Sequence, residues 1–368
     1  MSTVNALPLL DSTSAAWDLA LDRKFTTNVV ESFQPNIVLF NNEYPGVLKM
    51  TDEAGYQGQF LQKAPEPEPD EGYVPGNELQ GQASGFREDM VTLDQPLVVH
   101  KWFRSDHIDV AHFPIIEPVF SGMGESLARK LDKRGFITLA KAARGGSVTD
   151  SQGNLTIHNG GQRVTRTGGS VLGAYSMNAA GALLLRTDMD ALCAKYDLAS
   201  VPRPGRIAYI TPQAHQIMQQ DTGIFDVRFS QNQSAANLQM SIVGEMSGFQ
   251  IVMVNDRLPA GNLTGSVPWV DQYGNSLAGS GVPSKYQGDF RANGAAGTGA
   301  SATGTPIVLA VGGVRQGSAP VAYRQIGGLR MDRKWVAEKQ SWFASISVLG
   351  GFGQMHTYTA GSIEVTTS

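Results

Sequence analysis

The sequence predicts an α+β fold: an N-terminal arm, an extended β-ribbon, one long helix, a mixed α/β domain and a closing β-hairpin, in that order along 368 residues. Three observations predict it. Apolar residues recur at four-residue steps through Ile115–Arg144, short β-prone pieces flank a proline-alternating stretch before that helix, and a strand-to-helix unit, RIAYITPQAHQIM, follows it.

The arm comes first. Trp17, Leu21 and Phe25 fall at helical spacing, and Ile37, Val38, Leu39 and Phe40 form a β-like run. From Val47 the signals change to the β-prone pieces VLKM, GYQGQFLQ and VTLDQPLVVHKWF, interrupted by APEPEPDEGYVPGNELQGQASGF. Proline at every second position, in Pro65, Pro67 and Pro69, favours an extended, polyproline-like backbone, and Glu66, Glu68, Asp70 and Glu71 keep that stretch solvated. Two arms of about 15 residues at ~3.3 Å each give a reach of roughly 50 Å. An isolated two-stranded ribbon is only marginally stable in water, so a projection of this length needs a surface to lie on, and a neighbouring molecule is the natural one.

The long helix is expected over Ile115–Arg144, stopped by Gly145-Gly146. Val119, Met123, Leu127 and Leu131 form its apolar stripe, widened by Phe120 and Ala128, while Glu125, Arg129, Lys130, Lys133 and Arg134 mostly face away. Glu125 and Arg129 make a favourable i, i+4 pair. Thirty residues give ~45 Å of helix, enough to cross a domain. Pro118 shifts its start, and Gly135 weakens or bends its later half.

After the helix, TDSQGNLTI at Thr149–Ile157 has hairpin chemistry, and helical signals return at Ala182–Tyr196. Ile207–Ile210 reads as a short buried strand, Thr211 as an N-cap, Pro212 as the first helical residue, and Ala214, Ile217 and Met218 as a buried stripe. Gly248–Asn255 is apolar on both faces and reads as a central strand. Pro259–Gly304 reads as a glycine-rich surface loop and Thr305–Gly313 as a strand. Leu329–Phe352 reads as a long hairpin whose period-2 pattern, Trp342, Ala344, Ile346 and Val348 against Ser341, Phe343, Ser345 and Ser347, suits a strand lying under the long helix.

A formal net charge of −4 argues against broad attraction to nucleic acid. Cys193 is the only cysteine, so no intrachain disulfide forms and a reducing compartment fits. The N-terminus lacks the pattern of a signal peptide, and no stretch approaches the ~18 apolar residues of a membrane span, so a soluble protein made in the cytoplasm is expected.

No chemical motif completes itself. A phosphate loop is absent, and GMGESL at Gly122–Leu127 lacks the third glycine of a dinucleotide fingerprint; helix packing explains its glycines better. His107 and His112 with Asp106 and Asp109 read as a polar helix entry rather than a metal site. Asp150-Ser-Gln-Gly-Asn and Asp271-Gln-Tyr-Gly-Asn read as hairpin turns rather than calcium loops, and Cys193 as a buried structural thiol. Neither a catalytic residue nor a metal or cofactor site is predicted. The basic residues Lys101, Arg104, Arg129, Lys130, Lys133, Arg134 and Arg144 are either a solvated face or a contact for acidic loops of a neighbour such as the Pro-Glu tip.

Five stretches carry a resemblance: LALDRKFTTNVVESF at Leu19–Phe33, PGNELQG at Pro75–Gly81, GMGESLARKLDKRGFITLAKAA at Gly122–Ala143, RIAYITPQAHQIM at Arg206–Met218 and GEMSGFQIVMVNDRLP at Gly244–Pro259. In content and order they resemble the major capsid protein of tailed bacteriophages with the HK97-type fold, with the best likeness to the short-tailed (podovirus) branch. The resemblance implies an N-arm at residues 1–46, an E-loop at 47–106, the spine helix of a P domain at 107–146, an A domain at 147–318 with its glycine-rich loop, and a P-domain hairpin returning to the A domain at 319–368. It implies a structural protein that assembles as pentamers and hexamers into an icosahedral head enclosing double-stranded DNA without sequence-specific binding. Such a protein uses no cofactor and touches no membrane. Its implied partners are itself, a scaffolding protein, a portal protein and a decoration protein, and its place is the virion, after assembly in the host cytoplasm. Contacts between subunits are expected at Glu66, Glu68, Asp70, Glu71, Arg87, Lys101, Arg104, Arg129, Lys133 and Arg134. Some relatives crosslink through a Lys and an Asn; Lys49 and Lys63 lie in the E-loop, but without an acid partner motif crosslinking is not expected. Two other readings stand beside this one: an encapsulin-like compartment shell, and a hydrolase built around His215 or the His107 and His112 region.

Overall fold

The computed structural model describes residues 31, 37–40, 45–50, 57–66, 84–104, 116–220, 245–255, 257–263, 268–270, 276–281, 284–291 and 304–367. Strands β1 (Leu48–Met50), β2 (Gln57–Lys63), β3 (Phe86–Thr92) and β4 (Leu97–Arg104) precede the long helix α1 (Ile116–Ala143). Next come β5 (Val148–Thr149), β6 (Thr156–His158), β7 (Gln162–Thr167), the one-turn α2 (Val171–Ala174), α3 (Ala179–Leu198), β8 (Ile207–Ile210) and α4 (Pro212–Met218). The chain continues through β9 (Glu245–Met246), β10 (Phe249–Met253), β11 (Gly261–Leu263), β12 (Pro268–Val270), β13 (Ser276–Gly281) and β14 (Gly288–Phe290). It closes with β15 (Thr305–Val311), β16 (Val321–Val336), β17 (Ser341–Gln354) and β18 (Ala360–Thr366). Contacts group the described residues into two units, one within Met1–Ile37, Asp94–Asp132 and Gln325–Gly350, the other within Val38–Leu93, Lys133–Arg324 and Gly351–Ser368.

In the first unit, β4 runs antiparallel to β17 from Arg104↔Ser341 to Leu97↔Val348, and β16 lies on the other side of β17. Alternation decides which face is buried: Ala344, Ile346 and Val348 are inside, while Phe343, Ser345 and Ser347 are partly open. The first part of α1 buries its expected stripe, Phe120, Met123, Leu127, Ala128 and Leu131, and Phe120 meets Phe103 of β4 edge-on at 5.6 Å between ring centres.

The second unit is built on a six-stranded mixed sheet in the order β7-β18-β15-β8-β10-β9. Strands β8 and β15 are buried along essentially their whole length, as continuous apolar runs require. Helix α3 covers the sheet with Leu185, Met189, Leu192 and Tyr196, and α4 adds Ala214, Ile217 and Met218 to the same core. Helix α4 starts where its cap predicts, whereas α3 starts at Ala179, three residues before the expected Ala182, because Asn178 caps it there. Asn178 Oδ1 accepts from Gly181 N at 2.9 Å, Thr211 Oγ1 accepts from Ala214 N at 3.3 Å, and Pro212 occupies the first turn without needing a donor. Asp150 closes the β5–β6 hairpin by accepting from Asn154 N at 2.8 Å, with Gly153 left-handed at φ 76°, so this stretch is a turn, as read.

Several expectations are corrected. Ile37–Phe40 forms a turn rather than a strand; Leu39 is buried, and its carbonyl accepts from Gly46 N at 3.0 Å. The described ribbon pairs seven residues per arm, from Gln57↔Thr92 to Lys63↔Phe86, or ~23 Å, instead of about 15. The second arm breaks at Leu93–Pro96, where proline cannot donate to a ladder, and β4 joins β17 instead. Strand β10 is one in from the edge, flanked by a two-residue β9, so it is less central than its composition suggests. The stretch read as a loop before Thr305 contains two small paired ribbons, β11–β14 and β12–β13.

Two helix glycines also read differently in three dimensions. A Cβ on Gly122 would meet nothing within 4 Å, so no packing requires that glycine. A Cβ on Gly135 would collide with Leu39 Cδ1 and sit 3.1 Å from the Phe352 ring. From Phe136 to Ala140 every residue of α1 is buried, which an amphipathic stripe does not anticipate.

Candidate functional site

The β2–β3 ribbon has two unlike faces, because side chains alternate across a strand. On the inner face Phe60 packs with Leu48, Val91, Ala322 and Met355. Gln62 is buried there: its Nε2 donates to Asp89 Oδ2 at 3.0 Å and to the Met355 carbonyl at 3.1 Å, and its Oε1 lies 3.1 Å from His158 Nε2. His158 and His356 both stack near Tyr358, with ring centres 5.0 and 5.9 Å away. Burial pushes both histidines below their ordinary value; Asp89 opposes this at each, Arg87 reinforces it at His158, and His158 reinforces it at His356. These contacts fasten the base of the ribbon in a partly desolvated polar cluster.

The outer face is built from the pairs Gln59↔Met90, Leu61↔Glu88 and Lys63↔Phe86. Leu61 is 66% exposed, Met90 55% and Phe86 43%. Three large apolar side chains on one face of a two-stranded ribbon are a surface shaped for association. Lys63 reaches over the Phe86 ring at 6.0 Å and pairs with Glu66. This face is the feature that sequence reading missed. Hydropathy shows FLQK and FREDM as ordinary half-polar strands, and only the register places Leu61, Met90 and Phe86 together.

The structure separates the sequence-predicted contact residues into different roles. Glu66 is exposed on the ribbon, whereas Glu68, Asp70 and Glu71 lie outside the described residues. Arg87 pairs with Asp89 at 3.0 Å within β3. Lys101 is exposed on β4, and Arg104 ends that strand. Arg129 pairs with Glu125, as its spacing predicts, and Lys133 is half-buried one turn later. Arg134 does not face away: it is buried, with its guanidinium 5.2 Å from the centre of the Tyr286 ring. A side chain enclosed in this way has no surface to offer a neighbour.

Arg144, read as part of the same basic surface, is also internal. Its side chain is almost wholly buried and pairs with Glu364 at 2.9 Å. It also donates to the Asp289 carbonyl at 2.8 Å and to the Gly304 carbonyl at 2.6 Å. Arg163 pairs with the second oxygen of Glu364 at 2.7 Å. One buried carboxylate thus ties the end of α1 to β7 and β18. Arg206 plays a similar part: it donates to Asp197 Oδ1 at 2.7 Å, the Pro202 carbonyl at 3.1 Å and Cys193 Sγ at 3.4 Å, and it lies 5.3 Å from the Tyr196 ring centre. Cys193 is partly buried against the core, as a small apolar residue would be.

The residues weighed for catalysis are dispersed. His215 is half-buried in α4 beside Gln219 at 3.3 Å, with burial pushing it below its ordinary value. His107 and His112 lie outside the described residues. Among the described residues no group of three His, Cys, Asp or Glu side chains is placed to hold a metal ion.

No protein-family model matches the chain, and no curated protein is similar to it in sequence. Solved structures are. The capsid of the cyanophage P-SCSP1u superposes with a TM-score of 0.65 at 18% identity, over 88% of this chain and 87% of that one. The mature capsid of bacteriophage PhiM1 gives 0.63 at 14% identity over 90% and 89%, and Mycobacterium phage Che8 gives 0.53 at 12% identity over 90% of each chain. The chain therefore has the fold of these capsid subunits, the HK97-type α+β architecture, along nearly its whole length.

Proposed function

We propose that this chain is the shell-forming major capsid protein of a tailed phage of the short-tailed branch, assembling as pentamers and hexamers into an icosahedral head around double-stranded DNA. The outer ribbon face carries the proposal. In a fold shared with phage capsid subunits, it leaves Leu61, Met90 and Phe86 open on a projection that water alone does not stabilise. Covering that face with the next copy makes a heterologous, head-to-tail contact, and such contacts close into rings. Residues 47–106 act as the E-loop, 107–146 as the spine of the P domain, and 147–318 as the A domain. The exposed Glu66 and Lys101, with the half-buried Arg129, supply charge that sets register between subunits. The role needs no catalytic residue. Scaffolding and portal proteins, and in some heads a decoration protein, are the partners of such a shell, the virion is its location, and the host cytoplasm is where it assembles.

Sedimentation velocity on the protein expressed with and without a scaffolding partner, followed by imaging of the fast fraction, tests this. Megadalton shells with fivefold and sixfold units are expected, and DNA inside a tailed particle separates a phage head from a cargo-filled cellular compartment. A stable species of a few subunits under every condition would sink the proposal.

A further inference from the structure

We propose that the open edge of β4 takes one more strand, supplied by the proline-alternating segment Pro65–Asp70 of a second copy. The identity of the partner rests on the shell reading; the pairing itself does not. Strand β4 is the last in its sheet: one edge pairs with β17 over all eight residues, and among the described residues no strand pairs with the other. Exposed edges are normally blunted by proline, bulges or charged side chains, and the one mid-strand charge of β4, Lys101, is a cation that an acidic segment can pair with. Strand β4 has no proline, and its register with β17 is unbroken.

Its two faces are chemically distinct. Val98, His100 and Trp102 stand on one face, with Val98 53% and Trp102 45% exposed. Lys339 lies 4.4 Å from the Trp102 ring centre, and Phe343 packs against that ring at 4.7 Å. Lys101, also exposed, belongs to the other face.

The segment Pro65–Asp70 matches this edge in three ways. In an extended chain the N–H and C=O groups of alternate residues point to the same side. Pro65, Pro67 and Pro69 have no N–H, so Glu66, Glu68 and Asp70 present a complete hydrogen-bonding edge on one side, and the opposite side cannot donate. Such a segment adds to one edge and stops, without inviting a further strand. The same alternation puts prolines on one face and acids on the other, at the ~6.6 Å two-residue repeat of the strand it joins. Prolines therefore lie along Val98, His100 and Trp102 while the acids meet Lys101. Charge agrees: Leu97–Arg104 contains Lys101 and Arg104 and no acid, and Pro65–Asp70 contains three acids and no base. Among the described residues both the edge and Trp102 stay open, and on the shell reading it is another copy that brings the segment to them. Main-chain pairing supplies the affinity and the two faces supply the specificity.

The probe is a fluorescein-labelled peptide of Ala64–Gly72, APEPEPDEG, titrated into the full-length protein by anisotropy, with hydrogen exchange read at β4. Saturable binding is expected, with alternate β4 amides slowed at least tenfold. N-methylation of the Glu68 amide, which keeps every charge and proline, should weaken binding at least tenfold, and the exposed-site variant Lys101→Glu should weaken it severalfold. Equal binding of the N-methyl peptide would overturn strand pairing, as would protection of other strands but not β4. Binding of mixed-sequence duplex DNA by the same residues, with the peptide inert, would assign the edge to nucleic acid. Shells that form with β4 still in fast exchange would defeat this inference and leave the shell reading standing. If no shell forms, the peptide titration still decides the pairing, and it is the shell reading that fails.

Discussion

Replacing Glu364 by Gln tests the idea that α1 is anchored by a buried ion node rather than by its amphipathic stripe alone. The Glu364 side chain is fully buried, and its two oxygens bind Arg144, 2% exposed at its side chain, and Arg163, 21% exposed. Gln keeps the shape but removes the charge, which leaves the Arg144 guanidinium enclosed with neutral acceptors only, the new amide oxygen and the carbonyls of Asp289 and Gly304. Removing one partner of a buried pair typically costs about 3–5 kcal/mol, because the other charge stays desolvated. For a large unfolding unit about 2 °C of Tm accompanies each kcal/mol, so a drop of roughly 6–10 °C is expected by calorimetry. Arg163→Met should cost clearly less, since its charge is partly solvated and Arg144 keeps its carboxylate. A Glu364→Gln protein within ~2 °C of the parent, or an Arg163→Met protein that loses as much, would falsify the node as an anchor.

Further outcomes follow from the same geometry. Gly122→Ala, whose new methyl meets nothing, should gain up to ~1 kcal/mol from helix propensity, whereas Gly135→Ala, against Leu39 and Phe352, should lose about 1–2 kcal/mol to overpacking; denaturant melts of the two variants should move in opposite directions. His158 and His356 hold fewer protons folded than unfolded, because burial lowers their folded values. Their contribution is therefore complete above the ordinary value of 6.5 and is lost as pH falls below it through the lowered folded values. Hydrogen exchange in β2 and β3 should speed up across that acid range in the parent and less so in His356→Gln; a flat response would remove the histidines from the ribbon anchor. Leu61→Glu with Met90→Glu should leave the subunit's Tm within ~1–2 °C yet abolish fast-sedimenting species, and normal shells from this double variant would take the outer ribbon face out of the interface.

Much of the secondary structure was readable because it rests on local rules. The four-residue apolar step and the Gly145-Gly146 stop put α1 within a residue of its observed limits, and Thr211-Pro212 placed α4. Charge was the poorer guide. Arg129 sits where its spacing says, paired with Glu125, but Arg134 and Arg144, spelled in the same basic run, are enclosed. A helix whose later turns are buried all round takes in its cations along with its leucines, provided that acids or rings from distant strands receive them. Glu364 lies 220 residues from Arg144, and no local pattern joins them.

The sequence by itself determined the order of the main elements, the limits of α1 and the strand-to-helix unit, since each depends on spacing and composition within a few turns. Tertiary structure alone decided which face of the ribbon is open, what crowds Gly135, which arginines are internal, and that β4 is the last strand of its sheet among the described residues. Those properties depend on strand register and on contacts between residues far apart in the chain, and a one-residue slip of one ribbon strand would have turned either Leu61 or Met90 and Phe86 inward and split that surface.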